Sequence, residues 1–221
     1  MTLKTLMLRP MEGLRVTPDD RATAILNGAF DLLMAEGLPH VSYKRVADAA
    51  GVTRQLVRYY FPESDDLMLA LCDKIAAVYR EALIQGMMER ASGDRMTLFL
   101  DFYFDLLEAP RKPRDDRVYD ALMSLAARSE RIRSNLRQQY TLLGQVVSHE
   151  LRLAHPQIPL QVCEQISFTF VSLMYGHWKM VASLGLNEDH KHITRAAIER
   201  LIESYRLDPK AADCTSTWKP A

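Results

Sequence analysis

The stretch TRQLVRYY, Thr53 to Tyr60, places Arg54, Gln55, Arg58 and Tyr59 within six residues. An arginine can pair bidentately with guanine and a glutamine with adenine, and an apolar group such as Leu56 can touch a thymine methyl. Thr53 and Tyr59 can bond to phosphates, which position a helix on a duplex without reading its sequence. The chemistry these types suit is recognition of double-stranded DNA. Between His40 and Pro62 the charges are Lys44, Arg45, Arg54 and Arg58 against Asp48, an excess of three cations. The chain as a whole has a formal net charge of +0, so any nucleic-acid surface must be local. The competing reading is a solvated face on an ordinary three-helix subdomain.

Positioning such a set requires a tight turn between two short helices. Ser42 is suited to cap a helix that runs to Ala50, with Gly51 free to turn left-handed behind it. Thr53 then caps a third short helix running to about Tyr60. Ala47 is small where the two helices would cross, and Val52 anchors the turn. Val46, Ala50, Val57 and Tyr60 fall on the inward faces, which leaves Thr53, Arg54, Gln55, Leu56, Arg58 and Tyr59 facing outward. This is a helix-turn-helix, whose second helix enters the major groove.

The rest of the chain reads with a helical period, with few glycines and no alternating strand pattern. A first helix is expected from Pro18-Asp19-Asp20 to a stop at Gly37. A fourth runs from Ser64-Asp65-Asp66 to about Glu89. A fifth is expected from Ser92-Gly93-Asp94 to about Ala109 and a sixth, after the basic loop PRKPR, ends near Ala127. The last three run from about Ser129 to Ala154, Pro159 to Leu184 and Glu188 to Tyr205. The expectation is an all-α protein of about nine helices: a helix-turn-helix domain over 18–63, a larger helical domain over 64–206, and a loosely ordered tail over 207–221.

Other chemistries find little support. His149-Glu150 with His155 lacks the spacing of a zinc-binding HExxH helix, and no GxSxG, P-loop or GxGxxG occurs. His190 and His192 are two apart and point to different faces of a helix. The three cysteines are far apart and suit a reducing compartment better than a disulfide framework. No metal, no cofactor and no enzymatic activity are expected. The first residues do not read as a secretory signal, and no run of about 18 apolar residues suggests a membrane span. A soluble cytoplasmic protein is expected.

The stretch ILNGAFDLLMAEGLPHVSYKRVADAAGVTRQLVRYYFPESDDLMLAL, Ile25 to Leu71, resembles the N-terminal domain of TetR-family transcriptional regulators. The resemblance rests on Gly37, Ser42, Ala50-Gly51-Val52-Thr53, Tyr59-Tyr60-Phe61 and Leu67, and covers about a fifth of the chain. It implies contact with an operator through Ser42, Tyr43, Lys44, Thr53, Arg54, Gln55, Leu56, Arg58, Tyr59 and Ser64. Two positions depart from the family pattern. Arg58 stands where a tyrosine is usual, and Ser64, beside Asp65 and Asp66, stands where a lysine usually meets phosphate. Ser64 with the helix N-terminus, and the charge of Arg58, would have to replace that lysine.

The resemblance also implies a ligand pocket and a dimer contact in the larger domain. Aromatic and methionine residues at Phe99, Phe102, Tyr103, Met123, Tyr140, Phe168, Met174 and Trp178, with His177, are the pocket candidates, although any one of them could be plain core. The eighth helix is apolar nearly all round, so burial on two sides is expected. Val162, Ile166, Phe170 and Leu173, with Ile193, Ala197, Leu201 and Tyr205 of the ninth, are the expected dimer contact. The reading is a homodimeric repressor released from its operator by a small apolar or aromatic ligand. The alternatives are a helical adaptor docking a protein, with the acidic ESDD in its favour, and, more remotely, a helical-bundle enzyme.

Overall fold

In the computed structural model the described residues are 20–89, 95–104, 106, 116–187, 189–213 and 217–218. Expected features at Pro18, Asp19, Ser92-Gly93-Asp94, the PRKPR loop and Glu188 lie outside them. Every regular element among the described residues is helical: α1 (Asp20–Glu36), α2 (Tyr43–Ala50), α3 (Arg54–Tyr60), α4 (Ser64–Glu89), α5 (Arg95–Tyr103), α6 (Asp116–Ala126), α7 (Glu130–Ala154), α8 (Leu160–Trp178) and α9 (His190–Leu207). A single 3-10 turn, Leu38–His40, follows α1, and a π-helical turn, Lys179–Ser183, follows α8. None of the described helices is long and apolar enough to cross a membrane.

The described residues fall into two compact units. One comprises 20–77 with 116–137, the other the described residues of 78–106 and 138–218. Helices α4 and α7 therefore each contribute residues to both units.

In the N-terminal unit α1 packs on α2 and α2 on α3. Ile25, Ala29, Leu33, Val46, Ala47 and Val57 are buried, as are Leu67, Leu71 and Ile75 of α4 and Ile132 and Leu136 of α7. The closest helix crossing falls at Gly28. A Cβ there would lie 3.0 Å from the backbone nitrogen of Ala50 and 3.2 Å from the carbonyl carbon of Ala49. Lys74 of α4 donates to the Asn27 side chain of α1 at 2.8 Å. Burial pushes the thiol of Cys72 up to about 12, so this cysteine behaves as a small core hydrophobe.

The C-terminal unit is built on one apolar cluster drawn from α4, α5, α7, α8 and α9, with Phe99, Phe104, Leu151, Ile166 and Phe170 fully buried. Two ion pairs border it. Arg95 forms two bonds to the buried carboxylate of Glu150, at 2.9 and 3.1 Å. The buried Arg195 donates to Asp101 at 2.8 Å and lies 2.8 Å from Glu199. The tail also has a seat in this unit. The Gln165 side chain bonds both the N–H and the carbonyl of Ala212 at 2.8 Å. Trp218 donates to the Ser167 hydroxyl at 2.8 Å and stacks edge-on against Phe168, 5.4 Å between centroids. Its ring lies directly over Gly144, where a Cβ would come within 2.1 Å of it.

Candidate nucleic-acid interface

The turn forms from local signals. Ser42 accepts the Arg45 N–H at 3.5 Å, and Thr53 accepts the Leu56 N–H at 3.2 Å, so each short helix carries its own N-cap. Gly51 sits at φ 65°, the left-handed conformation that a side chain resists. Its N–H reaches the Asp48 carbonyl at 3.3 Å while Val52 N–H reaches the Ala47 carbonyl at 3.0 Å, closing a Schellman motif.

With Val46 and Val57 buried, α3 presents Arg54, Gln55, Arg58 and Tyr59 to solvent, and Tyr59 is 76% exposed. Ser42, Lys44, Thr53 and Ser64 are exposed too. Several expected positions differ. Leu56, Ala50, Val52 and Tyr60 are half-buried, and Phe61 completes the buried side of α3. The Tyr43 hydroxyl donates to the Phe61 carbonyl at 2.6 Å, so its proton is committed to joining α2 to the end of α3. The Arg58 guanidinium lies over the Tyr43 ring, 5.9 Å from its centroid. Arg45, one of the counted cations, is held by the Glu36 carboxylate at 2.5 and 2.6 Å and bridges α1 to α2.

The acidic stretch that follows α3 is not left to itself. Asp66 accepts the Glu63 N–H at 3.0 Å, and this bond, rather than one from Ser64, closes the start of α4. Arg131 of α7 reaches Glu63 at 3.0 Å and Asp66 at 2.6 Å. Ser129 donates to Asp65 at 2.5 Å, and Asn135 to Asp73 at 2.9 Å. The Arg131 hydrogen bond, with the Glu63 N–H behind it, holds the Asp66 carboxyl below the usual carboxylate range. Burial, then the charge of Asp66, raises the Tyr43 phenol. Sequence reasoning missed this seam. Its signal lay in the Ser, Arg and Asn of SERIRSN at 129–135, and nothing local connects that turn with ESDD.

In the C-terminal unit the candidate pocket residues divide. Phe99, Phe102 and Met174 belong to the buried cluster, and Tyr103, Tyr140 and Trp178 pack against it. The Phe99 and Tyr103 rings lie 4.9 Å apart, Tyr103 and Phe170 5.8 Å, and the Trp178 indole donates to the Tyr103 carbonyl at 2.9 Å. His177 is buried edge-on to Phe104 and Trp178, its Nδ1 3.0 Å from the Thr194 hydroxyl. Phe168 is 49% exposed beneath Trp218, and Met123 belongs to the N-terminal unit, so neither joins the others.

The candidate dimer residues divide as well. Val162, Ile166 and Phe170 are the inward stripe of α8, each 1% exposed, and have no surface left for a partner. Leu173 and Ile193 are exposed, while Ala197, Leu201 and Tyr205 are half-buried. A helix apolar on all sides has no preferred face until its neighbours are placed, and here the expected faces exchange.

Two capped helices about a left-handed glycine, presenting Arg, Gln and Tyr, form a helix-turn-helix. Residues 25–71 match the family described as bacterial regulatory proteins, tetR family. The fold resembles that of a TetR transcription regulator from Haloarcula marismortui ATCC 43049. That match has a TM-score of 0.68 and 16% identity, covering 84% of this chain and 97% of that one. A transcriptional regulator from Rhodococcus sp. Rha1 matches with a TM-score of 0.67 and 19% identity over 83% and 96% of the two chains. A regulator from Saccharomonospora viridis, solved in complex with choline, matches at 0.65 and 20%, over 83% and 96%. At these identities the likeness is one of fold. No curated protein matches the chain.

Proposed function

We propose that the chain is a cytoplasmic, homodimeric repressor that reads its operator with α3 and leaves it when a small apolar or aromatic molecule binds the C-terminal unit. The observation that carries the DNA half is the exposed set Arg54, Gln55, Arg58 and Tyr59 on a helix whose opposite side is buried. Lys44, Ser42, Thr53 and the Arg58 charge are the phosphate-facing groups of that surface. Dimerisation is supported by exposed apolar residues on and after α8 and on α9, namely Leu173, Met180, Leu184 and Ile193. Two recognition helices about 34 Å apart would then address successive turns of one groove.

The effector is supported by the aromatic cluster around Phe99, Tyr103, Phe170 and Trp178, with His177 and Tyr103 supplying polar atoms within an apolar surround. A regulator of the same fold in complex with choline also favours a small-molecule effector. Binding there would shift the dimer between two spacings of its recognition helices, which is coupling between two sites. An adaptor role draws less support than the sequence suggested, because the ESDD carboxylates are already engaged by Arg131 and Ser129. Nor does anything favour an enzyme: the matched family and the compared structures are regulators.

The test is enrichment of a duplex from a random-sequence pool, followed by gel shifts of the selected DNA. Arg54→Ala should cost about 1–3 kcal/mol of binding and relax specificity at one base pair. A wild-type chain that enriches no duplex, or scatters light as a monomer at micromolar concentration, would overturn the proposal.

A further inference from the structure

The carboxylates of Glu63, Asp65 and Asp66 lie within eight residues of Arg58, immediately after the helix proposed to read DNA. Polyanionic DNA brought to this surface meets three negative charges unless something cancels them. A guanidinium from a remote part of the chain bonds two of them. Arg131 bonds Glu63 through one terminal nitrogen at 3.0 Å and Asp66 through the other at 2.6 Å. Ser129, two residues before it, takes the third carboxylate, Asp65, by a 2.5 Å bond. Ser129 also accepts the Ile132 N–H at 3.3 Å, so the start of α7 holds its own shape while it holds α4. Arg131 is itself 48% exposed, so its charge remains open to solvent and to an approaching phosphate.

We propose that Arg131 is a positioning residue for operator binding: it offsets one of the three negative charges at the start of α4 and orients that start beside the recognition helix, so that DNA can approach. Its place in the chain explains why Ser64 can stand without a lysine. The cation of this corner is supplied by α7, and the neighbouring carboxylates are what hold it there. Arg58, exposed over the Tyr43 ring, keeps its charge and contributes separately. The inference rests on the proposed DNA-reading function.

The experiment uses full-length protein and a duplex enriched by the wild type from a random pool. Three chains are titrated by fluorescence anisotropy between about 50 and 200 mM salt: wild type, Arg131→Ala, and Arg131→Ala with Glu63→Gln and Asp66→Asn. The amides keep acceptors for the Glu63 N–H and remove the charges. Arg131→Ala is expected to weaken binding about three- to tenfold at the lowest salt, with a smaller gap as salt rises. The triple variant is expected to return to within about twofold of wild type. Thermal melts separate this from a folding defect, since Arg131→Ala should still melt cooperatively near the wild-type temperature. Wild-type affinity in Arg131→Ala, or a loss that the triple variant does not repair, overturns the inference and leaves DNA reading standing. A wild type that enriches no duplex overturns both.

Discussion

The helix-turn-helix is written in short-range code, whereas the C-terminal unit is held by residues far apart in the chain. Ser42 caps through Arg45 and Thr53 through Leu56, each three residues on, and Tyr43 reaches Phe61 across eighteen. In the C-terminal unit Trp178 bonds Tyr103 across 75 residues, Arg195 bonds Asp101 across 94, and Trp218 bonds Ser167 across 51. The difference suits two kinds of work. A DNA-reading helix must keep one rigid geometry, which caps and a single glycine can specify. The aromatic cluster of the C-terminal unit draws on several helices, and only the completed bundle brings them together.

The largest expected effect falls on the long-range side. Phe170→Ala should cost about 3–5 kcal/mol, because the ring is fully buried against Phe99, Phe104 and Tyr103. Denaturant unfolding would read it, and a loss below about 1 kcal/mol would mean that the cluster is not what holds the unit. On the short-range side, Gly28→Ala should destabilise by about 1–3 kcal/mol. The new methyl would meet the backbone of Ala49 and Ala50, which cannot swing aside, and this outweighs the gain of about 1 kcal/mol in helix propensity. A raised melting temperature in Gly28→Ala would show that α1 and α2 can separate, which would weaken the case for a rigid reading head.

Next in size, Trp218→Ala should cost about 1–2 kcal/mol through the lost indole bond and ring contact. Gly144→Ala should expel the same ring and match that loss, with a shift in tryptophan emission. If Gly144→Ala left both unchanged, the tail would not be seated on α7. Gly51→Ala should cost about 1 kcal/mol, since alanine must adopt φ 65° with no close neighbour to add a clash.

Acid should act mildly. Glu36, held low by Arg45, and Asp66, held low by Arg131, bind protons less readily folded than unfolded. Their contribution is therefore complete above the ordinary carboxylate range, and is lost as pH falls through it toward the lower folded values. Unfolding measured between about pH 5 and pH 2 should show the slope, and Arg131→Ala should flatten the part due to Asp66.

Much of the N-terminal unit was legible because its signals are neighbours in sequence. Ser42, Gly51 and Thr53 each act within five residues, so spacing alone places them. Even there the reading overlooked Gly28, which meets α2 only when α1 and α2 pack. The nine α-helices among the described residues were legible from their periods, although α5 ends at Tyr103 rather than near Ala109 and α8 gives way to a π-helical turn at Lys179. The surface role of Phe168, the core role of Val162, Ile166 and Phe170, and the seat of Trp218 were not legible.

By itself the sequence determined the all-helical class, the capped turn and the outward set Arg54, Gln55, Arg58 and Tyr59. Propensity, capping and left-handed glycine act over a few residues and need no partner from elsewhere. Only the tertiary structure decided which side of α8 is inside, since a helix apolar all round is oriented by what packs on it. It also decided what answers the acidic ESDD. The partner of Glu63 and Asp66 is an arginine 65 to 68 residues away, and no local rule joins a cap to a side chain that folding alone brings beside it.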